Sequence, residues 1–196
     1  MSRTFEFIYD LVSAPSYLAW TQIDAVEQQA GAEVLLTPVL CGGIFQAIDN
    51  PGPLVIPAKR DWIMGDYVMW AQHYGVAFAL NPHAPVRTLP LMRGAFVAEE
   101  RGELARYLKA LFEAIWVDAR NLSDADEVRQ TLEGAGLDPD AYFTGIERAD
   151  VKDRLRQNTD DAVARGVFGV PTFFVGERMF FGQDRLEFVK RALRED

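Results

Sequence analysis

Within its first forty residues the chain lays out two strand patterns with a helical pattern between them, and that order leaves few arrangements open. Thr4-Phe5-Glu6-Phe7-Ile8-Tyr9 is rich in aromatic and branched residues, which suit a short strand. Ala19, Ile23, Val26 and Ala30 then recur at helical spacing until Gly31 ends the run. From Glu33 to Leu40, Val34-Leu35-Leu36 and Val39-Leu40 show little polar alternation, as in a strand buried on both faces. Strand, helix and strand in so short a span form a βαβ unit with parallel neighbouring strands. Ser13-Ala14-Pro15-Ser16 stands between the first strand and the helix. Ser13 falls at or just before the first helical turn, and Pro15 falls inside it, where a missing N–H is harmless.

The end of the chain returns to strands. Thr172-Phe173-Phe174-Val175 and Met179-Phe180-Phe181 flank Gly176-Glu177-Arg178, a tight hairpin whose glycine can take a positive φ. Gly182-Gln183-Asp184 opens a last helix, with Leu186, Val189 and Leu193 facing inward. Between Cys41 and Asn158 the pattern is helical throughout. Ile63, Tyr67, Trp70 and Tyr74 mark one helix ending at Gly75, before the connector Asn81-Pro82-His83-Ala84-Pro85. Leu104, Leu108, Leu111 and Ile115 form the clearest amphipathic stripe. Val128 and Leu132 mark a helix closed by Gly134 and Gly136; Asp138-Pro139-Asp140 starts another; Val151, Leu155 and Ala162 place one more, up to Gly166. The order is βαβ, a helical insert, then ββα. Without the insert this is an α/β, thioredoxin-like sheet of four strands. We expect a discontinuous thioredoxin-like domain, residues 1–40 and 159–196, interrupted by a helical domain over residues 41–158.

Composition narrows the function classes. A content of 49% hydrophobic and 25% charged residues over 196 positions supports a real core. A net charge of −9, with no block of consecutive basic residues, argues against nucleic acid as a partner. No apolar stretch reaches membrane length, and Met1-Ser2-Arg3-Thr4 runs into the first strand without an apolar signal segment. The single cysteine, Cys41, excludes an internal disulfide and fits a reducing compartment, so we expect a soluble, cytoplasmic protein. His73 and His83 have no partner spacing that makes a metal site. Cys41, at an apolar strand end, reads as a small buried hydrophobe, and Asp124, Asp126 and Glu127 as first-turn helix charges.

Thioredoxin-like oxidoreductases carry a Cys-x-x-Cys pair at the strand-to-helix turn. Here both sulfur positions are serines, Ser13 and Ser16, which excludes dithiol chemistry. Any thiol used at the turn must come from another molecule. Val170-Pro171-Thr172 precedes the third strand, and in such folds that proline is cis and lies beside the turn. Only about one X-Pro bond in twenty is cis, so the weight comes from its place before a hairpin and a final helix. Read alone, Pro171 could simply start a strand, and Ser13 could simply cap a helix.

Taken together, the motifs resemble those of 2-hydroxychromene-2-carboxylate isomerases and kappa-class glutathione transferases, within the DsbA-like thioredoxin superfamily. The resemblance rests on Tyr9-Asp10-Leu11-Val12-Ser13-Ala14-Pro15-Ser16-Tyr17-Leu18-Ala19, on Gly42-Gly43-Ile44-Phe45 with Asn50, and on Pro57-Ala58-Lys59. Most specific is Phe168-Gly169-Val170-Pro171-Thr172 through Gly182-Gln183-Asp184-Arg185-Leu186. Two differences stand out: the family usually has proline directly after the serine, where this chain has Ala14, and asparagine or serine at Gln183.

The resemblance implies glutathione as the cofactor, a small aromatic carboxylate as substrate, and a homodimer. Ser13 would stabilise glutathione's thiolate, helped by the helix N-terminus. Each pKa unit of depression corresponds to about 1.4 kcal/mol of preferential thiolate binding. A serine also cannot trap glutathione as a mixed disulfide. Val170 would pair its backbone with the cysteinyl amide as an added strand. Asp184 would hold the α-ammonium, with N–H groups near Gln183 and Asp184 on the α-carboxylate. Asn50 would reach the tripeptide or the substrate. Lys59 is either a partner for a substrate carboxylate or a solvated lysine. The implied reaction, in aromatic catabolism, converts a chromene-type hemiketal carboxylate to trans-o-hydroxybenzylidenepyruvate. A glutathione transferase, and a non-catalytic thioredoxin-like binding module, are the other readings.

Overall fold

The computed structural model describes residues 3–195. Its sheet runs β2-β1-β3-β4, from β1 (Arg3–Tyr9), β2 (Ala32–Pro38), β3 (Thr172–Val175) and β4 (Arg178–Phe181). β1 lies parallel to β2, Phe5 opposite Val34, and antiparallel to β3, Phe7 opposite Phe173. The β3–β4 hairpin turns at Gly176-Glu177, where Gly176 has φ 56°, in the left-handed region that glycine tolerates. The thioredoxin-like sheet read from the sequence is therefore present, strand for strand.

Two local expectations change. The crossover from β1 to β2 is two helices, α1 (Ala14–Trp20) and α2 (Ile23–Ala30), rather than one. They part at Thr21-Gln22, where the Thr21 hydroxyl donates to Leu18 O at 2.7 Å and competes with continued backbone bonding. β2 is an edge strand, with Leu35 56% exposed, so it is not buried on both faces. An apolar run reports hydrophobicity along a strand, whereas burial depends on what packs beside it.

β1 sends alternate residues to opposite faces. Phe5, Phe7 and Tyr9 join a core with Ile23 and Val26 of α2 and with Leu186, Val189 and Leu193 of α10 (Leu186–Glu195). Ile8 faces the other way, with Val39, Ile44, Ala162, Val167 and Phe174.

Between β2 and β3 the described residues form only helices: α3 (Cys41–Ala47), α4 (Pro57–Tyr74), α5 (Leu89–Glu100), α6 (Leu104–Trp116), α7 (Ala125–Gly134), α8 (Pro139–Gly145) and α9 (Ala149–Ala164). α9 runs unbroken through residue 158, so the insert returns to the sheet inside a helix. Helix α5 was not read from the sequence because Leu91, Met92 and Gly94 to Ala98 are all buried, so that Arg93 alone interrupts the apolar run before Glu99 and little period shows. Gly94 is required there, since a Cβ would run into the Tyr107 hydroxyl, which donates to Leu91 O at 2.7 Å.

The insert and the sheet share one core. The Tyr9 ring lies 6.3 Å from that of Phe112, on α6. Trp116 Nε1 donates to Leu11 O at 2.9 Å, and Leu11 N–H donates to Met92 Sδ at 3.4 Å. The segment leading into Ser13 is thus fastened from the insert. Asn81 organises the proline connector: its Nδ2 donates to Ile115 O and Arg120 O, and its Oδ1 accepts from His83 N–H.

Candidate active site

Ser13 caps α1. Its Oγ accepts from Ser16 N–H at 3.1 Å, and its N–H donates to Asp10 O at 3.1 Å. Its hydroxyl proton goes to Val170 O at 3.1 Å. The serine turn and the Val170-Pro171 peptide, which is cis, therefore touch through one hydrogen bond. A hydroxyl that accepts from an N–H is polarised and becomes a better donor. Val170 N–H has no acceptor among the described residues. Pro15 has no N–H, and that of Ser16 is engaged, which leaves Ala14 N–H as the free donor of the first turn. Because α1 is seven residues long, the dipole support expected from a helix reaching Gly31 is reduced. The donors this turn offers are the Ser13 hydroxyl and the Ala14 N–H. Ser16 Oγ is buried with no hydrogen-bond partner among the described residues.

Beside this turn the chain after β4 enters a short 3₁₀ turn, Gln183–Arg185. Gly182 precedes it with φ 102°, and a Cβ there would collide with Asp184 Oδ1. Glycine therefore lets the Asp184 carboxylate fold back on the turn. Gln183 is buried, and its carbonyl accepts from the Tyr74 hydroxyl of α4 at 3.0 Å. Asp184 pairs with the adjacent Arg185 at 3.0 Å.

Helix α4 packs on α1 and covers this region. Ile63, Tyr67, Trp70 and Tyr74 line its inner face, as their spacing predicts, and all four pack on the core or, for Ile63, are buried. Burial pushes the Tyr67 phenol up to about 12, with the charge of Asp66 adding to it. Partial burial, and then the charge of Asp184, push the Asp66 carboxyl above its ordinary value. Asp66 has no ion pair or hydrogen bond among the described residues. The charge of Asp184 on the 3₁₀ turn thus reaches Asp66 on α4, and a cation bound near both would relieve their repulsion. The sequence reading passed over Asp66, which lies on a helix whose charges look like an ordinary solvated face.

The remaining candidates lie on the α3–α4 connection. Asn50 Oδ1 accepts from Gly52 N–H at 2.9 Å, which leaves its two Nδ2 protons without an acceptor among the described residues. Phe45 ties this loop to the proline loop, because Cβ atoms built at Gly52 and Gly169 would both contact its ring. Lys59 is exposed in the first turn of α4, with no ion pair among the described residues. No hydrogen bond or ion pair joins Lys59 to the Ser13 turn.

The second residue the sequence reading missed is Asp10, which is completely buried. Its Oδ1 accepts from Val12 N–H at 3.0 Å and its Oδ2 from Cys41 N–H at 2.8 Å, and the Thr88 side chain also bonds to it. Burial pushes its carboxyl up, and the three hydrogen bonds pull it back. Asp10 joins the serine turn to the starts of α3 and α5. The available signal was an acid flanked by Ile8-Tyr9 and Leu11-Val12, where an isolated charge is unfavourable unless hydrogen-bonded. Cys41 opens α3 rather than ending a strand; burial, and then the charge of Asp10, push its thiol up to about 12. Such a thiol is inert at neutral pH.

Among the described residues no group of three or more His, Cys, Asp or Glu is placed to hold a metal, and no helix is long and apolar enough to cross a membrane. A family model described as a DSBA-like thioredoxin domain matches residues 4–194. A 2-hydroxychromene-2-carboxylate isomerase of Sphingobium xenophagum is 29% identical, covering 98% of this chain and 99% of its own. Glutathione S-transferase kappa 1 of Rattus norvegicus is 26% identical, covering 98% and 92%. A solved structure of 2-hydroxychromene-2-carboxylate isomerase superposes with a TM-score of 0.87 at 26% identity, over 98% of this chain and 95% of that one.

Proposed function

Because the chain belongs to the DSBA-like thioredoxin domain family, we propose that it is a glutathione-dependent isomerase of a chromene-type hemiketal carboxylate. One observation carries the reading. The Ser13 hydroxyl bridges the α1 cap and the cis-proline loop at a place where the family chemistry needs sulfur, and the only cysteine is buried and inert. When bound, glutathione supplies a thiolate that adds reversibly to a conjugated double bond and so permits rotation about it.

The residues present fit the tripeptide. With the tripeptide bound, Ser13 would turn its hydroxyl proton from Val170 O to the sulfur, and Ala14 N–H would be free for the same charge. Val170 O would then be free to accept from the cysteinyl N–H, and its own N–H is without an acceptor among the described residues. One internal hydrogen bond is exchanged for a short β-ladder, as in strand addition. Asp184 and Asp66 receive the α-ammonium, and N–H groups near Gln183 and Asp184 take the α-carboxylate. Asn50 offers its free Nδ2 protons to the tripeptide or the substrate. Lys59 receives the substrate carboxylate, and α4 excludes water.

A transferase would use the same glutathione site. Polar groups at Asn50 and Lys59 favour a carboxylated substrate, whereas an apolar electrophile would not need them. The two differ in whether glutathione is consumed. With glutathione limiting, the ultraviolet spectrum of the chromene carboxylate should convert fully over many turnovers, with free thiol unchanged at the end. Lys59→Ala should raise KM for the carboxylated substrate several-fold and leave glutathione affinity nearly unchanged. Loss of one thiol per product would make the protein a transferase. Failure to bind glutathione at millimolar concentration would leave the binding-module reading.

The homodimer belongs to the same proposal. Trp62 and Met69, on the outer face of α4, and Leu54-Val55-Ile56 before it are all exposed, an apolar surface continuous with the cover of the site. Sedimentation velocity at micromolar concentration should give a dimer; a monomer there removes this part. A reducing compartment such as the cytoplasm suits a protein that needs its glutathione as the thiol.

A further inference from the structure

Away from the serine turn, α5, α6, α7 and α8 leave a cleft of about 280 Å³ between them. Leu91, Leu122, Val128, Leu132 and Phe143 contribute apolar walls, and Tyr107 and Tyr142 line it too. Those two rings stack at 4.9 Å, nearly parallel at 8°. Their hydroxyls are committed elsewhere, Tyr107 to Leu91 O at 2.7 Å and Tyr142 to Glu103 at 3.1 Å. What the tyrosines present to the cleft is therefore aromatic carbon. No residue of the serine turn, of Val170-Pro171 or of Gln183-Asp184 lines it.

The rim carries the polar groups. Arg87 and Ser123 both line the cleft, and Arg87 N–H donates to Ser123 Oγ at 2.9 Å. The Arg87 guanidinium has no ion pair or hydrogen bond among the described residues, unlike Arg120 and Arg129 nearby, which pair with Glu127 and Asp140. The Ser123 hydroxyl proton also has no acceptor there. Two donors thus stand over an apolar slot. The nearby acids at the start of α7 are Asp124, whose carboxylate is turned onto its own helix cap at Asp126 N–H, the exposed Asp126, and Glu127, which is paired with Arg120.

We propose that this cleft is a second ligand site, which takes a small single-ring aromatic carboxylate. The ring lies against the half-buried Phe143 and Ile146, over the floor made by the stacked tyrosines, and the carboxylate meets Arg87 and Ser123. Size limits the ligand: an apolar cavity of about 150 Å³ already holds benzene, so this one accepts a single ring with a short polar substituent. Charge selects the acid, because a free guanidinium at an apolar mouth pairs with a carboxylate and gains much less from a neutral group. The site is independent of the glutathione reading, since it shares none of those residues.

Benzoate and its neutral isostere benzamide are the probes, measured by equilibrium dialysis and ligand-observed NMR on the full chain saturated with S-methylglutathione. Benzoate should bind saturably at millimolar concentration and benzamide more weakly. Arg87→Gln, an exposed substitution that leaves the fold intact, should weaken benzoate roughly tenfold and leave benzamide unchanged. Ser13→Gly should change neither. The site is refuted if benzoate does not saturate, if benzamide binds equally well, or if Arg87→Gln has no effect. Competition between benzoate and S-methylglutathione would likewise refute it, by placing benzoate in the glutathione site.

Discussion

Replacing Ser13 by glycine should lower turnover by about 10²–10³-fold, the usual loss when one oriented donor to a developing or bound anion is removed. Glycine is the informative substitution because Ser13 has two tasks in the structure and a third in the proposed site. It caps α1 through Ser16 N–H, it satisfies Val170 O, and in the proposed site it donates to the thiolate. Glycine at an N-cap is only a few tenths of a kcal/mol worse than serine, whereas alanine loses about 1 kcal/mol. Ser13→Gly therefore keeps most of the stability and deletes the donor. Glutathione affinity should fall only a few-fold, because Asp184, Asp66 and Val170 remain. The pKa of bound glutathione, read from thiolate absorbance, should rise towards that of the free thiol. Ser13→Cys should be poor as well, and a mass shift of one glutathione would show the mixed disulfide. Wild-type turnover in Ser13→Gly would reduce the residue to a helix cap.

How far the sequence carried this reading depends on which signals were local. The β1–α1 turn, the β3–β4 hairpin and the Gly182 block were legible because a strand pattern, a glycine at positive φ and a capping residue each declare themselves within a few positions. The meeting of Ser13 with Val170 was legible only through the motif, since nothing local links positions so far apart. Helix α5 was invisible for the opposite reason: buried over most of its length, it shows little period. The break between α1 and α2 turned on one Thr21 hydroxyl. Asp66 and Asp10 were missed because what makes them notable, the charge of Asp184 in one case and complete burial in the other, is created by packing.

Asp10→Ala should lower stability by about 2–4 kcal/mol, because two buried N–H groups, Val12 and Cys41, lose their acceptor at once. That loss should also depend on pH. Burial raises the Asp10 carboxyl above its unfolded value, so between the two values the folded state holds a proton that the unfolded state has released. Stability then falls as pH rises across that window. The contribution of Asp10 is complete below the unfolded value of about 3.9, and declines as pH climbs through the raised folded value. Subtracting the alanine variant from the wild type cancels the other carboxylates, none of which contacts this pocket through a hydrogen bond or ion pair among the described residues. The difference in denaturant unfolding free energy should therefore be larger in mild acid than at neutral pH. A difference that stays flat, or grows with pH, would mean that the hydrogen bonds from Val12, Cys41 and Thr88 outweigh the burial of the charge. In that case Asp10 is an ionised anchor of the serine turn, held by its donors at every pH where the protein folds.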